Sequence, residues 1–127
     1  MTQSLNVRKF AGYAAIAAIV NAIIFLIAKS ADATMVVNQG GSQEIALPMV
    51  LASTLFGLVI AAFIASRIGK KSQGFLSKSP LIGLVFGVVT AAAPFGASDD
   101  SKTALALASM HVVAGVTWYL GAKRSIK

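Results

Sequence analysis

The sequence predicts an all-α integral membrane protein: an antiparallel four-helix bundle with both termini in the cytoplasm (N-in, C-in). Three observations carry this expectation. The 127 residues are 57% hydrophobic and only 12% charged, whereas soluble domains hold about 25% charged residues. Such a chain cannot cover its own surface in water, and a bilayer has to act as its solvent. The apolar residues gather into four segments, each about as long as a hydrocarbon core is thick. The charges sort by side. Nine of the eleven Lys and Arg residues precede the first segment, separate the second from the third, or follow the fourth. All four acids, Asp32, Glu44, Asp99 and Asp100, lie in the other two gaps with Lys29 and Lys102. Retention of cation-rich loops on the cytoplasmic side fixes the orientation.

The first span is expected over about 10–28, between Arg8-Lys9 and Lys29, with Asn21 as its one strongly polar member. A cleaved signal peptide ending near Ala31-Asp32-Ala33 is the rival reading, but the apolar stretch exceeds the ~7–15 residues usual for one. The gap that follows, with Asn38-Gln39-Gly40-Gly41-Ser42, has loop and turn chemistry. Met35-Val36-Val37 within it is apolar enough to pack on the bundle.

The second span is expected over about 47–66. Pro48 suits a first helical turn, where its missing N–H leaves nothing unpaired. The connection from Arg67 to Ser79 holds Arg67, Lys70, Lys71 and Lys78 and no acid. These four cations are expected to meet anionic lipid headgroups.

The third span, about 81–97, begins after Pro80 and is the shortest. Pro94 removes the hydrogen bond to the Thr90 carbonyl, so a kink or helix end is expected there. The fourth span, about 103–122, has Asp99, Asp100 and Ser101 as N-cap candidates. Trp118 and Tyr119, close to Lys123 and Arg124, read as an interfacial aromatic anchor.

Helices in lipid associate through close backbone approach at small residues. Gly57 and Ala61 in span two, and Gly83, Gly87 and Ala91 in span three, are spaced for that. They could serve packing within one bundle or between copies of the chain; packing inside the bundle is expected, where each span needs two neighbours and short connections make spans two and three, and three and four, adjacent.

One constellation stands out. Asn21 lies eight residues from Lys29, and His111 nine from Lys102. At ~1.5 Å per residue both sit about 12–14 Å below the outer charged boundary. Thr90, Ser53 and Thr54 fall near the same level. Polar groups avoid lipid tails, so this layer is expected to turn inward and hydrogen-bond to itself. The bland reading is a core that fixes helix register. The functional alternative is a small polar cavity open to the outer face, in which His111 could change charge. No acid lies within the spans, which argues against a proton relay.

Other chemistry is poorly supplied. The absence of cysteine removes thiolate metal sites and thiol nucleophiles. A lone histidine cannot build a multi-histidine metal site, and no cofactor is expected. The positive charge flanks spans rather than forming a soluble basic domain, so no nucleic-acid partner is expected. No carboxylate pair or Ser-His-Asp arrangement lies within the spans, and catalysis is not expected.

The pattern resembles a family of small four-span bacterial membrane proteins known only as a domain of unknown function. The resemblance rests on Val20-Asn21, on Ala93-Pro94 and on Met110-His111-Val112-Val113. It implies that the asparagine, the proline and the histidine matter together, and it imports no activity. The expected role is a non-catalytic accessory or interaction subunit of a bacterial inner membrane, homo-oligomeric or attached to a larger complex. The alternative is a small transporter or channel using the outward polar layer around Asn21 and His111.

Overall fold

The computed structural model describes residues 2–127. Its elements run α1 (Val7–Ser30), β1 (Val36–Asn38), β2 (Ser42–Glu44), α2 (Leu47–Lys71), α3 (Gln73–Thr90), α4 (Ala93–Ala97) and α5 (Ser101–Ser125). The protein is mostly helical. Four helical stretches, α1, α2, α3 with α4, and α5, are long and apolar enough to cross a membrane, as fits a multi-pass membrane protein.

Local chemistry sets the helix ends. The Asn6 side chain accepts from the Lys9 N–H at 3.0 Å and caps α1. Pro48 stands in the first turn of α2. Ser72, in extended conformation, closes α2 through its own N–H and caps α3 by accepting from the Phe75 N–H at 3.2 Å. The cation-rich connection is therefore almost entirely helix, with one residue between α2 and α3.

This corrects the short third span: α3 starts at Gln73 and Pro80 lies inside it. Proline at that position cannot bond the Leu76 carbonyl. The neighbouring Ser79 hydroxyl donates to that same oxygen at 2.8 Å, so the helix continues without an orphan acceptor. No such substitution occurs at Pro94. There α3 stops at Thr90, and the chain turns through Ala91-Ala92 into the single turn of α4.

Chain termini and the α2–α3 turn share one end. Ser4 and Lys127 exchange backbone hydrogen bonds at 2.8 and 3.0 Å, and the Asn6 N–H donates to the Ser125 carbonyl. Gln73 reaches the Gln3 backbone as both donor and acceptor.

At the opposite end, the first gap folds into a small antiparallel hairpin rather than an irregular loop, pairing Val36 with Glu44 and Asn38 with Ser42. Its positive-φ turn residues are Gly40 and Gly41. Met35, fully buried, anchors the hairpin on Phe25, Val50 and Met110. Asp100 locks it down, accepting from the Thr34 N–H at 2.9 Å and the Thr103 hydroxyl at 2.6 Å. Thr103 Oγ1 in turn accepts from the Met35 N–H at 2.9 Å.

The packing corrects the expectation of a closed bundle with two neighbours per span. α1 packs along α2 and α5, and α5 also packs along α3, giving the order α2–α1–α5–α3. α2 and α3 meet at their shared turn, where the Leu76 side chain occupies the space a Cβ on Gly69 would need. Farther from the turn they part. The buried core near the termini is built on Phe10, Ala14, Ala62, Leu76, Trp118 and Ala122.

Candidate functional site

Because α2 and α3 part, a cleft of about 480 Å³ opens between them, with α5 as its floor. The glycines explain its shape. A Cβ on Gly83 would collide with the Trp118 ring, and a Cβ on Gly87 would lie 2.6 Å from the Gly115 Cα. These two glycines let α3 sink onto α5. Ala91 is buried at the end of the same face. Gly57 behaves differently: a Cβ there meets nothing within 4 Å. Gly57 and Ala61 are exposed along the cleft wall, which corrects the expectation that they pack against a neighbouring helix.

Trp118 is also not an interfacial anchor. It is 7% exposed, meets Phe10 edge-on with ring centroids 5.0 Å apart, and donates from Nε1 to the Ser79 carbonyl at 2.7 Å. One edge of it lines the cleft. Tyr119 is the aromatic beside Lys123, whose ammonium lies 5.4 Å from its ring centroid.

The polar residues of the spans sit at the hairpin end of the cleft, but they do not form one self-bonded layer. Asn21, 2% exposed, donates from Nδ2 to Thr54 Oγ1 at 3.0 Å and is 3.5 Å from the Met110 carbonyl. The Met110 carbonyl can only accept, which fixes the amide with its nitrogen on that side. Asn21 Oδ1 is left buried without a partner. The Ser53 hydroxyl turns back to the Val50 carbonyl of its own helix. Thr90 Oγ1 lies 3.2 Å from His111 Nδ1 and 2.7 Å from the Phe86 carbonyl. It is the hydroxyl of Thr90, and not its freed carbonyl, that reaches the histidine.

No hydrogen bond joins Asn21 to His111, and His111 is exposed rather than turned into a closed core. This corrects the expectation of one inward-facing network. The two pairs are connected by space instead. A second cavity of about 350 Å³ runs from Ile45 and Met49 to Asn21, and its wall shares Ser53, Thr54, His111 and Ala114 with the cleft.

Electrostatically the cleft is bare. Among the described residues no charged side chain lines either cavity. Asp99 is taken up near the hairpin, 3.4 Å from Asn38 Nδ2, and Asp100 caps α5. Among the described residues no group of three or more His, Asp or Glu side chains could hold a metal ion.

Residues 2–127 match a family of unknown function (DUF6069). The chain belongs to that family. No curated protein and no solved structure matches it. Family membership assigns no chemistry, so any function has to be argued from the cleft. Sequence reading missed Trp118 as a site residue. The signal for Trp118 was present: a tryptophan one helical turn inward of Lys123 can face either the headgroups or the bundle, and Gly83 on the adjacent helix supplies the vacancy that draws it in.

Proposed function

We propose that this chain is a non-catalytic interaction subunit embedded in a membrane, and that it acts by receiving a membrane-embedded occupant between α2 and α3. The observation that carries this reading is the empty space beside Gly57, at the wall of a cleft that α3 and α5 do not close. On the facing helices, by contrast, Gly83, Gly87 and Gly115 make tight contacts. A helix that keeps glycine and alanine on an uncovered face retains access there at a cost of about 0.5–1 kcal/mol in intrinsic helix stability for the glycine. A second copy of the chain or a larger membrane complex falls within the same reading.

The proposed orientation places the termini and the α2–α3 turn in the cytoplasm of a bacterial inner membrane. That end carries nine Lys and Arg residues and no acid. Arg67, Lys70, Lys71 and Lys78 then meet anionic headgroups. Binding is favoured over chemistry by position, since both acids nearest α5 are engaged in capping and in holding the hairpin.

One observation favours a transporter or channel as the second reading: the cavity that reaches Asn21 and His111 from the hairpin end. Beyond it the buried Trp118, Phe10 and Leu76 fill the interior toward the termini.

Topology is tested on the cysteine-free chain with single substitutions. A membrane-impermeant maleimide applied to intact cells is expected to label Gln39→Cys and spare Lys70→Cys; the reverse overturns the orientation. The interaction reading is tested by extracting wild type and Gly57→Phe from their own membrane in mild detergent and weighing both by native mass spectrometry. A stoichiometric bound species, lost in Gly57→Phe, is expected. A bare wild-type chain overturns the reading, and solute flux through wild-type proteoliposomes favours the transporter.

A further inference from the structure

We infer that the occupant of the cleft is an uncharged, hydroxyl-bearing hydrophobe of the membrane interior, with its hydroxyl at His111 and its hydrocarbon body along Gly57, Gly83 and Trp118. This rests on the interaction reading above and names the ligand for that site.

The hydrogen-bonding state of the polar end selects the head. The Thr90 hydroxyl has one proton, and its shortest acceptor is the Phe86 carbonyl at 2.7 Å. Toward His111 Nδ1, at 3.2 Å, Thr90 therefore accepts. A neutral ring that donates from Nδ1 presents an unprotonated Nε2. Nε2 has no hydrogen-bond partner among the described residues, and His111 is exposed to both cavities. Asn21 Oδ1, behind the shared wall, is a second acceptor without a partner, on a side chain 98% buried. Both vacancies are acceptors. A head that donates fills the acceptor open at His111 Nε2, and an ether oxygen, which only accepts, leaves it empty. An acceptor left without a donor in hydrocarbon is costly, so the hydroxyl is favoured over the ether.

Depth and charge select against phospholipid. His111 lies about 14 Å from the level of Lys102, well within the hydrocarbon. A phosphate or an ammonium has no counter-charge there, since among the described residues no charged side chain lines the cleft. The body follows from the remaining wall, which is apolar from Ile82 and Phe86 to Leu58 and Phe75. A volume of about 480 Å³ lies within the range of small-molecule sites, roughly 300–1,000 Å³. Lateral opening between α2 and α3 gives entry from the lipid phase without passage through water.

The chain contains its own reporter. Trp118 is the single tryptophan and lines the cleft. The full chain is reconstituted in nanodiscs and titrated with a brominated long-chain alcohol, and separately with its methyl ether, which keeps the hydrophobicity and loses the donor. Trp118 emission is expected to be quenched by the alcohol at about tenfold lower concentration than by the ether, the ratio that one such hydrogen bond carries. Gly57→Phe, substituted into open space, is expected to abolish saturable quenching by both. His111→Leu, on an exposed position, is expected to keep quenching and remove the preference. Equal quenching by alcohol and ether in wild type overturns the inference and identifies bulk lipid as the occupant. A polypeptide bound in the cleft and displaced by Gly57→Phe, with no quenching by the alcohol, also overturns it while the interaction reading stands. If neither polypeptide nor alcohol occupies the cleft, both fail.

Discussion

Asp100 gathers three roles at one carboxylate: it caps α5, holds the Thr34 N–H and accepts from Thr103. The Thr103 hydroxyl first, then the Thr34 N–H, hold its pKa down to about 2 from the ordinary 3.8. A carboxyl with a lowered pKa stabilises the fold fully above its unfolded value, and the contribution is lost as pH falls through the folded value. Wild-type stability in detergent is therefore expected to drop between pH 4 and pH 2, by tryptophan emission against denaturant. Asp100→Asn is expected to be less stable at neutral pH and to show a shallower acid dependence. Glycine positions separate in the same assay. Gly87→Ala is expected to cost about 1–3 kcal/mol by overpacking against Gly115, whereas Gly57→Ala is expected to be neutral or to gain about 0.5–1 kcal/mol from helix propensity. Equal effects at the two positions would mean that the cleft is closed. Sequence spacing put both glycines in the same class, because periodicity reports that a face is small and not what lies opposite it.

At the scale of one element, α3 shows how a helix survives an internal proline. The Ser79 hydroxyl supplies to the Leu76 carbonyl the bond that Pro80 cannot. Ser79→Ala alone leaves that buried acceptor unpaired and is expected to cost about 1–3 kcal/mol. Adding Pro80→Ala restores a backbone donor, so the double substitution is expected to be more stable than Ser79→Ala. A double-mutant cycle measures this coupling. Additive effects would show that the hydroxyl contributes nothing to the helix. The sequence marked Pro80 as a helix start because a proline after a polar run usually is one. It could not reveal that Ser72, eight residues earlier, already caps the helix. At Pro94 the preceding residues are alanines, which offer no substitute donor, and α3 ends at Thr90.

For the whole molecule, the linear order α2–α1–α5–α3 leaves α2 with a single long partner and the cleft without a lid. Filling it is expected to change binding more than folding. Ala61→Phe, on an exposed wall residue, is expected to leave the unfolding midpoint within experimental error and to abolish retention of the bound species seen by native mass spectrometry. A large loss of stability would instead mean that α2 and α3 close on each other. The polar residues fit the same picture. Their common depth was legible from counting along each span, because rise per residue is constant. Their pairing, Asn21 with Thr54 and Thr90 with His111, was not, because it depends on how each helix is rotated about its own axis.

The sequence by itself determined that four apolar helices exist, where charge separates them, and which end of each carries the cations. Those properties follow from composition and length, which act on every residue independently of its neighbours in space. The tertiary structure alone decided which small residues are covered and which are bare, that Trp118 turns onto Phe10, and that an open cleft separates α2 from α3. Packing is a joint property of two surfaces: Gly87 finds Gly115 and Gly57 finds no partner, and nothing in either helix's own sequence distinguishes the two outcomes.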